Sequence, residues 1–410
     1  MTTTPVASFT YPAERGTCPF APPPAYTRAR QEQPVCTVSL WDGSRCWLVT
    51  RHEDVRTVLS DRRFSADSQK PGFPFLSEGR RELATRSRSF IRMDDPEHAH
   101  LRRMLTGDFI VKRIEALGPK VQEVVDGFID LMTADGRTSA DLVSEFALPV
   151  PSLMICLLLG VPYDDHVFFQ RCSGILLDSR SGSDAVRQAL DELAGYLERL
   201  AAEKERQPDD GIVSRLVAEG QLTRGQVARM SLLLLVAGHE TTANMTALSV
   251  LALLRHPEQA ARLREDAGLM QGAVEELLRY LSVVQSGVTR VATETVELGG
   301  RTIEPGDGVV CMLSTANRDP APFSDPDGLD VDREARRHVA FGFGVHQCLG
   351  QPLARLELRI ALSTLLGRLP DLKLAVPFEE IRFRPDKAVY GVESLPVAWG
   401  AVAGSDRQRR

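Results

Sequence analysis

The chain has 410 residues, 43% of them hydrophobic and 25% charged, and its formal net charge of −6 disfavours nucleic acid as the main partner. Seven cysteines without paired spacing exclude a disulfide framework and predict a reducing compartment. No apolar run approaches the roughly 18 residues of a membrane span, and residues 1–10 lack a signal-peptide pattern, so we expect a cytoplasmic protein without a membrane anchor.

The N-terminal part begins with a proline-rich segment of about thirty residues, which predicts irregular surface structure. Two strands are predicted around the turn sequence Asp42-Gly43, at residues 35–40 and 46–50, and a helix follows at 52–59. Residues 65–92 contain several prolines and glycines and predict a long irregular stretch. Such a stretch is either a loop over a binding site or a surface insertion.

Helical periodicity dominates from about residue 96 to residue 257. The predicted helices span residues 97–105, 111–133, 149–159, 164–177, 184–205, 212–219 and 223–254. The last is the longest; Thr223 and Gln226 form a capping box at its start, and residues 232–237 are apolar on all sides, so we expect it to be buried. Two more helices, at 257–265 and 269–281, precede strands predicted at 287–291, 295–298 and 309–312.

These elements predict one domain over residues 1–410 that is mainly α with a minor β region. We expect a helix-rich core at about 94–282 and 352–369, with β-rich parts at about 35–50, 287–312 and 372–400.

A glycine-rich loop presents Cys348 just before a helix that is predicted to begin near Pro352. The free N–H groups and positive end of a helix lower the pKa of a thiol, so the thiolate is favoured there. Such a thiolate is a nucleophile, a metal ligand or, for an isolated cysteine, an ordinary buried side chain. Gly342, Gly344 and Gly350 allow tight turns and a close approach of the backbone to a flat ligand.

The spacing of Phe341, Gly344, Cys348 and Gly350 resembles the haem-binding loop of the cytochrome P450 family. The resemblance extends over nearly the whole chain and looks closest to the soluble actinobacterial members. It implies the cytochrome P450 fold, with a long central helix over haem b and the cysteine loop beneath it. It also implies that Cys348 is the axial thiolate ligand of the iron and that Phe341, Gly342 and Gly350 lie against the cofactor.

A polar segment interrupts the centre of the long apolar helix at residues 237–242. Glycine, an acid and two threonines are unfavourable there, and threonine hydroxyls that bind the preceding turn bend a helix. The segment resembles the family's oxygen-activation motif, which places Glu240 and Thr241 in proton delivery to dioxygen and Ala237 and Gly238 beside the cofactor. The alternative is a polar kink without a role. His239 receives no function.

Two further sets of charged residues match the family at the expected distances. Glu276 and Arg279 form a Glu-x-x-Arg pair and Arg333 takes the third position of the family's buried network, to which we assign structural work. His98, Arg102, Arg290 and His346 take the positions that contact the haem propionates, although each alone resembles an ordinary surface residue.

The resemblance predicts a monooxygenase that uses dioxygen to hydroxylate or epoxidise a hydrophobic small molecule, a secondary metabolite or a xenobiotic. A chain of this length has no room for a flavin or iron–sulfur domain, so electrons are expected from a ferredoxin and an NAD(P)H-dependent ferredoxin reductase, docked near Arg102, Arg103, Lys112, Arg113 and Arg355. The alternatives are a peroxide-driven peroxygenase, which needs no Glu240–Thr241 relay, and a haem-thiolate sensor. A monomer is expected.

The substrate pocket is predicted to be apolar. Its walls are expected from the segments 65–92 and 174–184 and from Leu233, Val236, Val283, Val288 and Val389. Arg80, Arg81, Arg86 and Arg88 could meet an acidic or hydroxylated substrate group, but a solvated charge run is the favoured interpretation.

Overall fold

The structure is a computed structural model that describes residues 9–404. Residues 1–8, on which most of the signal-peptide prediction depends, lie outside the described range. Helices predominate over short strands, which confirms the predicted mainly α fold with a minor β region. No helix between residues 9 and 404 combines the length and apolar character needed to cross a bilayer.

The described residues contain fifteen α-helices. They are α1 (Pro24–Glu32), α2 (His52–Ser60), α3 (Glu78–Arg86), α4 (Glu97–Thr106), α5 (Val111–Glu115), α6 (Gly118–Met132), α7 (Pro149–Leu159), α8 (His166–Leu176), α9 (Ser183–Arg206), α10 (Ile212–Ala218), α11 (Arg224–Arg255), α12 (Pro257–Glu265), α13 (Met270–Leu281), α14 (Leu313–Ala316) and α15 (Gln351–Arg368).

Ten short strands accompany them in the same range. They are β1 (Val35–Ser39), β2 (Arg45–Val49), β3 (Phe64–Ser65), β4 (Ser139–Asp141), β5 (Val288–Ala292), β6 (Val296–Leu298), β7 (Arg301–Ile303), β8 (Gly308–Cys311), β9 (Lys373–Leu374) and β10 (Pro396–Ala398).

Helix α11 runs through the helical core and packs against α7, α9 and α15. Its predicted capping box is present: Thr223 Oγ1 accepts a hydrogen bond from Gln226 N–H at 3.3 Å, and Gln226 Oε1 accepts one from Thr223 N–H at 2.9 Å. Most of its side chains are buried all round, because the helix has neighbours on several sides. This position brings the polar segment at its centre to the same interior region as the helix α15, which starts beside Cys348.

The main sheet has the strand order β1-β2-β8-β5-β3. Strands β1 and β2 form the predicted hairpin, and β2 pairs in parallel with β8, with Trp47 opposite Val309. Strand β5 lies between β8 and β3, and Arg290 on β5 is paired with Val309 of β8. A second sheet has the order β4-β10-β9, and β6 and β7 form a separate hairpin.

Three predictions of local structure were wrong. The proline-rich start contains α1, which begins at Pro24, because proline is tolerated in the first turn of a helix. The predicted irregular stretch 65–92 contains α3, whose N-cap Ser77 accepts a hydrogen bond from Arg80 N–H at 3.2 Å. The single helix predicted at 111–133 is divided into α5 and α6, because Pro119 starts a new helix.

Candidate active site around the Cys348 loop

The loop before α15 is shaped by two glycines with left-handed backbone. Gly342 has φ 71° and Gly344 has φ 72°, and a Cβ atom at Gly344 would collide with the carbonyl oxygen of Leu59. The N–H of Cys348 donates a hydrogen bond to the carbonyl oxygen of Phe341 at 2.8 Å, which closes the loop. Gly350 differs, because it caps α15 with φ −78°, a value open to any residue.

The thiol of Cys348 is accessible within this loop. Burial among the surrounding protein raises its pKa, while the N–H groups of Gly350 and Gln351 and the charges of Arg102 and Arg355 lower it. The N–H groups at the start of α15 thus lower the pKa of this thiol as predicted. The prediction that the setting as a whole lowers the pKa and favours the thiolate was wrong, because burial raises the pKa by more. A bound metal cation deprotonates a coordinating thiol outright, so the arrangement suits a metal ligand.

Two histidine rings, tilted by 37° to each other, lie in contact near the cysteine. The rings of His98 and His346 have centroids 4.0 Å apart, and His98 Nδ1 lies 3.1 Å from Asp95 Oδ1. Among the described residues, His98 Nε2 and His346 Nδ1 are buried without a hydrogen-bond partner. Burial lowers the pKa of His346 to about 3, and the positive charges of Arg290, His98, Arg102 and Arg92 contribute.

Two arginines share this positive region. Arg102 donates a hydrogen bond to the carbonyl oxygen of Gln347 at 2.7 Å, and the buried Arg290 donates one to the carbonyl oxygen of Thr289 at 2.8 Å. Neither forms an ion pair with a carboxylate in residues 9–404, and burial lowers the pKa of both. Buried cations need a counter-ion. Together with the unpartnered histidine nitrogens, they fit a flat dianionic cofactor such as haem.

The predicted oxygen-activation segment lies at the middle of α11. Ala237 is exposed between the buried Val236 and the half-buried Gly238. Thr241 Oγ1 donates a hydrogen bond to the carbonyl oxygen of Ala237 at 2.8 Å. The segment remains α-helical, so the polar residues do not interrupt α11 as described. A Cβ atom at Gly238 would lie 2.8 Å from Ile155 Cγ1, which gives this glycine a packing role against α7.

Glu240 is half-buried and is held by one neighbour on the next turn. Asn244 Nδ2 donates to the Glu240 carbonyl oxygen at 2.7 Å and approaches its carboxylate Oε2 at 3.3 Å. A Cβ atom at Gly391 would collide with the amide of Asn244, so the C-terminal segment packs directly on this residue. Sequence reasoning missed Asn244, which fixes the side chain of the predicted acid.

The predicted charge network forms around Glu276. Both Glu276 and Arg279 are fully buried, with Arg279 Nε 2.7 Å from Glu276 Oε2, and Arg333 Nε lies 3.2 Å from Glu276 Oε1. Arg279 also donates to the carbonyl oxygens of Asn317, Pro326 and Gly328, at 2.7–3.0 Å. The network therefore ties α13 to the segment that leads into the Cys348 loop.

A second network, which sequence reasoning missed, starts from the adjacent Glu275. Its carboxylate lies 2.6 Å from Arg355 Nε and 3.1 Å from His338 Nε2. Burial raises the pKa of Glu275, but these two partners outweigh burial and hold it at about 2. Arg355 also stacks on the ring of Phe341, 4.7 Å from its centroid. Arg355 is thus a support of the loop rather than the free docking residue that we expected.

Four of the five predicted pocket residues belong to or pack against one hydrophobic cluster; they are Leu233, Val236, Val283 and Val389. Val283 accepts a backbone hydrogen bond from Tyr390 N–H at 2.7 Å, which places the 283 and 389 segments side by side. Val288 instead packs against a separate cluster beneath the main sheet.

Comparison with known proteins gives consistent results over most of the chain. A family model described as cytochrome P450 matches residues 175–370. Cytochrome P450-SU2 of Streptomyces griseolus is 64% identical over 398 residues, which cover 97% of this chain and 98% of that protein. The vitamin D3 dihydroxylase of Streptomyces griseolus is 48% identical and covers 95% of this chain and 96% of its own length.

The fold is similar to solved structures as well. The crystal structure of cytochrome P450 MoxA from Nonomuraea recticatena superimposes with a TM-score of 0.87 at 48% identity, covering 96% of this chain and 99% of that one.

Proposed function

This chain belongs to the cytochrome P450 family, and from that premise we propose that Cys348 binds haem iron for the oxidation of a hydrophobic small molecule by dioxygen. The family makes the protein an oxidoreductase of the monooxygenase type. The supporting observation is the set of groups around one accessible thiol: Cys348 at the start of α15, with Arg102, Arg290 and two histidines in a positive region.

Cys348 would hold the haem iron through its thiolate, and a haem held there would supply the chemistry of dioxygen activation. Arg102 and Arg290 are proposed to bind the two haem carboxylates, with His98 and His346 contributing hydrogen bonds from their unpartnered nitrogens. Phe341, Gly342 and Gly350 hold the loop against the flat ring, and Gly342 permits the turn.

Proton supply is proposed for Glu240 and Thr241. Because Thr241 Oγ1 gives its own proton to Ala237 O, its lone pairs remain free to accept a hydrogen bond in the space above Ala237. Glu240, oriented by Asn244, is the acid that re-supplies protons to that space through water. Ala237, with its small exposed side chain, leaves room for dioxygen, and Gly238 keeps α11 close to α7.

The substrate is proposed to be a lipophilic secondary metabolite or xenobiotic, which is hydroxylated or epoxidised. Leu233, Val236, Val283, Val288 and Val389 supply apolar surface of the kind that binds such molecules. The relatives include a vitamin D3 dihydroxylase, whose name indicates a lipophilic substrate.

A ferredoxin and an NAD(P)H-dependent ferredoxin reductase are the proposed electron source. Ile110 and Val111 are exposed apolar side chains next to Lys112, on the helix that packs against α15. Among the described residues Lys112 and Arg103 have no acidic partner, whereas Arg113 pairs with Asp108. An apolar patch with free cations suits an acidic protein. We further propose that the protein is a single-domain monomer. We also propose that it lies in the cytoplasm, which the seven free thiols support, because thiols stay reduced there.

The decisive experiment is the absorption spectrum of the reduced, carbon-monoxide-bound protein. We expect the strongly red-shifted band of a thiolate ligand in the wild type and in the control Cys18→Ala, since Cys18 is also an accessible cysteine. The band should be absent in Cys348→Ala. Retention of the band and of turnover in Cys348→Ala would refute the assignment. Equal turnover with peroxide alone would favour a peroxygenase, which does not need the Glu240–Thr241 relay.

A further inference from the structure

The arginines between residues 80 and 92 divide into two kinds. Three of the five have carboxylate partners: Arg81 pairs with Asp42, Arg86 with Glu82, and Arg88 with Asp67 and Glu97. Arg80 and Arg92 have no acidic partner anywhere in residues 9–404. The expectation of a solvated charge run is therefore met by the exposed Arg81 and Arg86. Arg88 is instead half-buried beside two carboxylates, and Arg80 is half-buried without one.

Arg80 and Arg92 are held in fixed positions. Gly79 packs so closely on the start of α9 that an added Cβ atom would lie 2.7 Å from the carbonyl oxygen of Ser181, and this contact fixes α3 and Arg80 with it. Arg92 Nη1 donates a hydrogen bond to Thr289 Oγ1 at 2.6 Å, and its guanidinium lies 5.2 Å from the centroid of the Phe73 ring. Arg92 is thus positioned by neutral groups, and Arg80 by the packing of α3.

Their surroundings are those of an interior recess. Both side chains keep accessible area, yet burial lowers the pKa of each, that of Arg92 to about 9, with the charges of Arg80 and Arg290 adding to the effect. An arginine on the outer surface would be solvated and would not respond in this way. Thr289, the partner of Arg92, precedes Arg290 on β5, so the recess lies next to the positive region around the Cys348 loop.

A charge balance leaves this recess positive. The two carboxylates of haem account for Arg102 and Arg290. Asp94, the acid whose charge acts on Arg290, already accepts hydrogen bonds from the Ser65 hydroxyl and from Ala66 N–H. Two cations therefore lack a counter-ion in the described part of the chain, and desolvated cations are costly without one.

We propose that Arg80 and Arg92 bind the anionic group of the substrate, so that the enzyme acts on lipophilic carboxylic acids. This inference rests on the proposed function and specifies its substrate class. Guanidinium groups bind carboxylates through two parallel N–H donors. The contacts with Thr289 and Phe73 hold the guanidinium of Arg92 in place. The hydrocarbon part of the acid then lies against the apolar wall that includes Val283 and Val389.

The test compares lipophilic acids with their methyl esters on the purified holoprotein. Dodecanoic acid and biphenylacetic acid, each with its ester, are titrated by calorimetry and by the shift of the haem absorption band. We expect the fitting acid to bind at least about tenfold tighter than its ester, as for a charge-assisted bidentate contact. Arg81→Gln is the matched control, because Arg81 is the neighbour of Arg80 on α3 but pairs with Asp42 outside the recess.

Arg80→Gln and Arg92→Gln should each remove the preference for the acid, while Arg81→Gln keeps it. Equal binding of acids and esters in the wild type, or a preference that survives both substitutions, would overturn the inference. The reduced carbon-monoxide spectrum is recorded for every variant. A missing thiolate band in the wild type refutes the proposed function, whereas a normal band without acid preference refutes this inference alone.

Discussion

Thr241 donates its hydroxyl proton to the carbonyl oxygen of Ala237, one turn earlier in α11, at 2.8 Å. The only donor of the Thr241 hydroxyl is therefore used by the backbone, and the hydroxyl oxygen can only accept a further hydrogen bond beside the exposed Ala237.

Thr241→Ala should uncouple oxygen consumption from product formation. Without the hydroxyl, protons are no longer directed to bound oxygen, so we expect product per NAD(P)H to fall about tenfold or more and hydrogen peroxide to rise. Thr241→Ser keeps the hydroxyl and should retain most of the coupling. The measurement is product and peroxide per NAD(P)H oxidised; full coupling in the alanine variant would contradict the relay.

Glu276→Gln should destabilise the protein by about 3–5 kcal/mol, because it leaves Arg279 and Arg333 without a buried counter-charge. The matched control is Glu82→Gln, which removes the exposed helical pair with Arg86 and should cost about 0.5 kcal/mol or less. Urea unfolding measures both. Equal effects of the two substitutions would show that burial of the Glu276 network contributes nothing.

The Glu275 carboxylate should make the protein sensitive to acid. Its folded-state pKa of about 2 lies below the ordinary value, so ionised Glu275 contributes stability above about pH 4.5, and that stability is lost as the pH falls toward 2. The contribution is on the order of 3 kcal/mol. Unfolding of the wild type and Glu275→Gln should differ most at pH 7, and the difference should shrink below about pH 4.5 and be smallest near pH 2. A constant difference would exclude this carboxylate as the source.

Glu357, on the buried side of α15, should act in the opposite direction. Burial raises its pKa to about 8, and its Oε2 has no hydrogen-bond partner in the described residues. The protonated side chain therefore contributes stability that is complete below about pH 4.5 and is lost as the pH rises through about 8. Glu357→Gln should remove this loss, so the variant gains stability relative to the wild type between pH 5 and 8. Parallel pH profiles would contradict the prediction.

Lys112→Glu should slow electron delivery from an acidic ferredoxin. We expect the reduction rate to fall several-fold at low ionic strength and the difference to vanish at high salt, since the attraction is screened. Lys373→Glu makes the same charge change at an exposed position on β9 and should have no effect. Stopped-flow reduction measures both. Identical rates and salt dependence for the two variants would exclude Lys112 from the docking surface.

Sequence patterns were most informative where one residue type carries one physical role. The start of α11 was predicted from Thr223 and Gln226. The pairing of Glu276 with Arg333, which are distant in sequence, was predicted from the resemblance to the family. By contrast, helix α3 was missed because prolines and glycines around it resemble a loop, although Ser77 is an ordinary N-cap signal. Giving the N-cap residue Ser77 more weight than the surrounding prolines and glycines would have predicted α3.

The pairing of Glu275 with Arg355 could not be predicted in the same way. Glu275 and Glu276 are adjacent on α13 and look equivalent in sequence. Glu276 pairs with Arg279 on the same helix, whereas Glu275 pairs with Arg355 only because α13 packs against α15. The unpaired state of Arg80 is likewise a property of the folded protein, because its neighbour Arg81 carries the same charge and finds Asp42.

The parallel pairing of β2 with β8 has a consequence for synthesis on the ribosome. Trp47 cannot meet Val309 until most of the chain has been translated, and at about 5–20 residues per second this takes tens of seconds. During that time β2 is an edge strand that can pair with another chain. Newly made protein therefore depends on protection of its first hairpin, and chains truncated before β8 should aggregate rather than wait in a partly folded state.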